Sequence, residues 1–182
     1  MNQAFKQAVS ATVQRLQNKS TTTTFLPQRL LLVGQGVAAP TDQLAADLES
    51  LAATAQSAAT SVLCSSILAG HTSESDDFGD AAIWLGQGAF GKGHEQAVLS
   101  SLGIQGGRIS PVELSPKTYI PKTVNASSIT PELAALSAKL AELQDLHCFS
   151  LQTSSSDVIY SLVGKNSNGW AGLVGIGTWS DE

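Results

Sequence analysis

Val158-Ile159-Tyr160-Ser161-Leu162-Val163-Gly164, then Lys165-Asn166-Ser167-Asn168-Gly169, then Gly172-Leu173-Val174-Gly175-Ile176-Gly177-Thr178-Trp179 is the stretch whose reading decides the fold. Its outer segments are apolar and of strand length, and the Asn-Gly pair between them is a hairpin signal. Residues 148–151 read as a further strand before this hairpin. Helical signals lie upstream. Thr130 is placed to cap, Pro131 fits the first turn, Glu132 sits at the positive dipole end, and Leu133, Leu136, Leu140 and Leu143 form an apolar stripe. Moving back along the chain, residues 115–128 are irregular, with Pro116, Pro121 and Asn125. Residues 108–114 form an edge strand, because Pro111 has no N–H for a ladder. Residues 94–102 are helical up to Gly103, residues 81–85 and 61–68 are strands, and Thr41 caps a helix carrying Leu44, Leu48, Leu51 and Ala55. Residues 29–34 are a strand stopped by Gly34-Gln35-Gly36, residues 21–24 a polar linker, and Phe5, Val9, Val13 and Leu16 share one stripe of a helix over 3–17. Helices interspersed with strands and closed by a hairpin describe a single mixed α/β domain.

The 182 residues suffice for one domain with a sizeable core. Apolar residues make up 42% of the chain, and no apolar run reaches the roughly 20 residues that span a bilayer. Charged residues are 14%, against about 25% in an average soluble protein. The formal charge of −5 is unevenly placed: Lys6, Arg15, Lys19 and Arg29 precede Asp42 with no acid, and the remaining six basic residues face all 15 acids. An acidic body disfavours direct contact with nucleic acid and suits a basic partner. Residues 1–41 therefore read as a basic extension, and 42–182 as the main body. Cys64 and Cys148 lie in apolar surroundings and read as buried thiols, not as a disulfide framework. The first 20 residues lack the apolar stretch of a secretory signal. The expectation is a cytoplasmic protein, with an organelle transit segment as the alternative reading of the acid-free N-terminus.

Few residues offer chemistry. Gly86-Gln87-Gly88-Ala89-Phe90-Gly91 fits G-x-G-x-x-G, the pattern of loops that hold phosphate on backbone amides. Its context fails: no H-R-D loop exists, and Asp77-Phe78-Gly79 precedes the glycines instead of following them. Residues 86–93 are read as a flexible surface connection, with a nucleotide- or phosphate-binding loop as the alternative. His147 and Cys148 are consecutive on a strand, so they point to opposite faces and cannot act as base and nucleophile. The serine elbow G-x-S-x-G is absent. The chain is thus expected to have no catalytic residues, no cofactor and no metal of its own.

Ser73-Glu74-Ser75-Asp76-Asp77-Phe78-Gly79-Asp80 places four carboxylates in eight residues. With Trp84 ending the next strand, Gly86, His94-Glu95, Pro111-Val112-Glu113-Leu114, the leucine-striped helix, Asp157-Val158, Val163-Gly164-Lys165 and Asn168-Gly169-Trp170-Ala171-Gly172-Leu173 follow in order. This series, over residues 42–182, resembles the nuclease A inhibitor family. The resemblance implies an α–β–α sandwich with a mixed, largely antiparallel sheet, of PR-1-like shape. It implies a non-enzymatic protein that blocks a metal-dependent, sugar-non-specific nuclease with an acidic loop and its C-terminal tail. Carried over, Glu74 and the tail Thr178-Trp179-Ser180-Asp181-Glu182 approach the nuclease's active site; the expected contact set is Glu74, Asp76, Asp77, Asp80, Trp84, Tyr119, Ser180, Asp181 and Glu182, with Glu74 and Glu182 approaching the partner's metal. This sequence differs from the family pattern in a segment over 55–72 before the acidic run, and in Lys117, Tyr119 and Lys122 where the family has Trp and acids. A structural or assembly module, its N-terminal helix paired with another chain, is the third reading.

Overall fold

The computed structural model describes residues 3–18, 24–72, 77–124 and 128–179. Among these, four α-helices accompany a seven-stranded mixed sheet that does not close. The helices are α1 (Gln3–Gln17), α2 (Asp42–Ser61), α3 (Glu95–Ser101) and α4 (Pro131–Leu140). The strands are β1 (Thr24–Leu26), β2 (Leu31–Val33), β3 (Ala81–Gly86), β4 (Arg108–Val112), β5 (Gln144–Gln152), β6 (Asp157–Asn166) and β7 (Gly169–Thr178), in spatial order β1-β2-β3-β7-β6-β5-β4.

The hairpin read from the sequence is the centre of this sheet. β6 and β7 pair antiparallel from Asp157↔Thr178 to Asn166↔Gly169, and Asn166 Oδ1 accepts from the Asn168 and Gly169 amides, closing the turn. β7 also pairs antiparallel with β3, and only β2 and β3 run parallel, joined through α2. That placement explains why β3 and β7 are buried along nearly their whole length instead of alternating. β4 lies at the sheet edge, a position at which a strand tolerates the missing amide of Pro111.

Both anticipated caps form. Thr41 Oγ1 accepts from Leu44 N–H and Thr130 Oγ1 accepts from Leu133 N–H. α2 buries Leu48, Leu51, Ala52 and Ala55 and packs on α4 and on β2, β3 and β7. Small alanines permit that close approach, and α4 answers with Leu133, Leu136 and Leu140. α1 is no appendage. Phe5, Val9, Val13 and Leu16 belong to the same core as β3, β6 and β7, and β1 and β2 extend the same sheet. The apolar stripe of α1 is therefore occupied within the chain, which removes the surface that the assembly-module reading would use.

Two segments depart from the sequence reading. The polar linker at 21–24 ends in β1, an edge strand of three residues. The strand expected over 61–68 does not form. The alanine-rich run carries α2 to Ser61, and Leu63 then adopts a left-handed conformation (φ 63°) while the Cys64 amide closes back on Ala59 O. This is a helix stop in which glycine usually occupies the left-handed position. Leu63 is 88% exposed, so its side chain gains almost no burial in return. Leu63→Gly is expected to raise stability by about 1 kcal/mol, read as a higher urea midpoint at unchanged slope. A lower midpoint would show that Leu63 makes contacts that outweigh the backbone cost.

Candidate functional site

Antiparallel pairing of β3 with β7 sets Ala81 opposite Val174, so the chain entering β3 runs beside the chain leaving β7. Asp77, Phe78, Asp157, Thr178 and Trp179 thereby come to one end of the sheet. Trp179 N–H donates to Ser156 O at 3.0 Å, fixing the exit of β7. α1 packs against the same end. Gly79 N–H donates to Ala8 O at 3.1 Å, and buried Thr12 Oγ1–H donates to Gly79 O.

Arg15 ties these parts together. Its Nε and Nη2 donate to Asp157 Oδ2 and Oδ1 at 2.6 and 3.0 Å, a two-point pairing with a carboxylate that is fully buried. Hydrogen bonding to Asp157 raises the Arg15 guanidinium above its ordinary value. The guanidinium also lies 5.6 Å from the centroid of the Phe78 ring. Between α1 and residues 77–78 runs an open groove of about 530 Å³, bordered by Ala8, Ala11, Gln14 and Arg15 on one side and Asp77 and Phe78 on the other. Arg15 and Asp157 are 142 positions apart, and no local pattern in the sequence announces their pairing.

The residues expected to meet a partner separate into groups. Asp77 is exposed at this end of the sheet. Glu74, Asp76, Ser180, Asp181 and Glu182 lie outside the described residues. Tyr119 stands on a turn that closes back from Ser115 to Ile120, 37% exposed and with φ 62°.

Asp80 and Trp84 are corrected: both belong to the interior. Asp80 is fully buried, accepting from Ser66 Oγ–H and Ile67 N–H at 2.7 Å each, and Ser66 Oγ in turn accepts from Ala69 N–H. The carboxylate thus supplies the acceptors that the 66–69 turn lacks, which is why that stretch needs no strand partner. Gly175 makes room for it, since a Cβ there would run into Asp80 Oδ1 and Ser66 Oγ. Burial pushes the Asp80 carboxyl up to about 6 against the pull of these hydrogen bonds. Trp84 is buried in β3 beside β2 and β7.

The glycine loop is also corrected, from a flexible connection to a pinned one. Trp170 Nε1–H donates to Gly88 O at 2.8 Å. His147 Nε2 lies 2.8 Å from Phe90 O, and a carbonyl can only accept, so that nitrogen carries the proton. Gly93 N–H donates to Glu95 Oε1 at 3.2 Å, placing a carboxylate where an anion would have to bind. The following strand, β4, lies at the far edge of the sheet beside β5 and not parallel to β3, so no dinucleotide-type unit surrounds the loop. Burial pushes the Cys64 and Cys148 thiols up to about 12, keeping both protonated and unreactive at neutral pH. Among the described residues, no three His, Cys, Asp or Glu side chains converge as a metal site. No helix among them is long and apolar enough to cross a membrane.

No protein-family model matches the chain, and no curated protein matches it.

Proposed function

We propose that this chain is a non-enzymatic inhibitor of a metal-dependent, non-specific nuclease, docking through the sheet end where Asp77 and the exit of β7 meet. The observation that carries the reading is the β3–β7 register. Residues 77–80, the described end of the acidic run, lead into β3 beside the strand whose exit at Thr178 and Trp179 leads to the tail, and the family resemblance assigns both stretches to one interface. A nuclease cleft holds phosphates on cations and a metal, so carboxylates presented together can imitate the backbone it cleaves. Glu74, Asp76, Ser180, Asp181 and Glu182 complete the proposed contact set. The proposal includes the PR-1-like α–β–α layering; α2 packs on α4 and on β2, β3 and β7, and α1 packs on β3. It also includes a reducing, cytoplasmic setting, in keeping with two unpaired cysteines.

The test is a nuclease assay on plasmid DNA with a panel of metal-dependent non-specific nucleases and the full chain in excess. At least one enzyme is expected to lose activity stoichiometrically. Glu74→Ala and Asp77→Lys are each expected to weaken that inhibition by about tenfold or more. Undiminished cleavage across the panel refutes the function. Full inhibition by both variants refutes the site while leaving the function standing.

A further inference from the structure

Among the described residues, the large hydrophobic side chains left exposed are Leu63 (88%), Ile129 (53%) and Tyr119 (37%). All three lie on two neighbouring segments. Ser61 Oγ is 2.7 Å from Thr130 Oγ1, and Gly70 packs against Val124 so closely that a Cβ would come within 3.2 Å of its Cγ2. Leu63 and Tyr119 also carry left-handed backbone, φ 63° and 62°. Left-handed backbone is unfavourable for a residue with a Cβ, and here that cost turns an apolar side chain outward instead of into the core.

Beside these residues lies a groove of about 310 Å³. Its apolar lining includes Ile120, Pro121, Val124, Ile129 and Leu133, and its ionisable lining residues are Lys117 and Lys122. Lys122 Nζ is held by Glu113 Oε1 at 2.7 Å. Lys117 forms no ion pair with a carboxylate among the described residues. In a chain whose formal charge is −5, this groove presents cations over an apolar floor.

We infer that the groove formed by residues 115–124, Ser128, Ile129 and Leu133 docks an apolar peptide segment of a partner protein that carries carboxylates. The apolar anchors supply contact area and Lys117 supplies sign selection, because a basic segment would meet like charge there. Such a partner has the opposite charge character from a nuclease, whose cleft is basic. The surface therefore serves a second partner and does not restate the inhibitor reading.

The experiment is selection of a random peptide library against the full chain, followed by affinity measurement of the enriched sequences as synthetic peptides. Enriched peptides are expected to combine aliphatic or aromatic residues with Asp or Glu. They should lose about tenfold or more in affinity against Lys117→Glu and against Ile129→Ser. The urea midpoints of both variants should stay at that of the parent, which separates lost docking from lost folding. Enrichment of basic peptides, no enrichment, or equal affinity for Lys117→Glu and Ile129→Ser overturns the inference. So does a concentration-dependent dimer that Ile129→Ser abolishes, since the occupant would then be a second copy of the chain.

Discussion

Asp80→Asn is expected to remove about 3 kcal/mol of pH-dependent stability between roughly pH 4 and pH 6. Burial, the dominant cause, lifts this carboxyl from its ordinary 3.8 to about 6, and the bonds from Ser66 and the Ile67 and Leu68 amides recover only part of the desolvation cost. Because the folded value lies above the unfolded one, folding favours the protonated form. The contribution is complete below about pH 3.8 and is lost as pH rises through about 6. Asparagine has no such transition. Its oxygen can accept from Ile67 N–H, and its amide can donate to Ser66 Oγ. Urea unfolding of parent and variant at pH 4.5 and 7.5 reads the difference directly. The parent should lose stability between these conditions relative to the variant, which should match or exceed it at the higher pH. Equal pH slopes for the two proteins would show that Asp80 ionises as an exposed carboxylate does.

Arg15→Ala is expected to cost about 2–3 kcal/mol, a fall in melting temperature of roughly 5–10 °C for a chain of this size. The variant leaves Asp157, fully buried, without its two-point guanidinium partner, and Thr178 Oγ1–H at 3.4 Å is a poor replacement. Arg15 itself is 42% exposed, which places the value below that of a fully enclosed pair. The double variant Arg15→Ala/Asp157→Asn should recover part of the loss, because the buried charge is removed with its partner. Calorimetric melts of Arg15→Ala, Asp157→Asn, the double variant and the parent close the cycle. A loss below about 0.5 kcal/mol in Arg15→Ala would assign the pair to ordinary surface electrostatics. Since Arg15 also covers Phe78, the same variant is expected to loosen the segment that carries Asp77.

Most of the elements were legible in the residues that form them. The caps at Thr41 and Thr130, the stripe of Phe5, Val9, Val13 and Leu16, and the turn around Asn168-Gly169 each depend on groups within a few positions of one another. The 61–68 stretch departs from its local pattern for an equally physical reason. Its apolar run matches a buried strand as well as a buried turn, and periodicity alone cannot separate them. What separates them is the Asp80 carboxylate, which satisfies Ser66 and Ile67 from the entrance to β3. The acidic run looked uniform in sequence for the same reason. Asp77 and Asp80 are three residues apart and of the same type, yet one is exposed and the other fully buried.

The candidate site was legible only in its parts. An acidic stretch and a terminal strand are visible in the chain, and so is the division into a basic start and an acidic body. By itself the sequence determined helix positions, caps, the closing hairpin and where charge is concentrated, because these follow from side-chain chemistry at short range. Tertiary structure alone decided the sheet order, the burial of Asp80 and Trp84, the pinning of the 86–93 loop, and the meeting of Arg15 with Asp157. Those depend on strand register and on packing across many residues. There the outcome is set by which distant group can satisfy a buried donor or charge, and no local pattern encodes that choice.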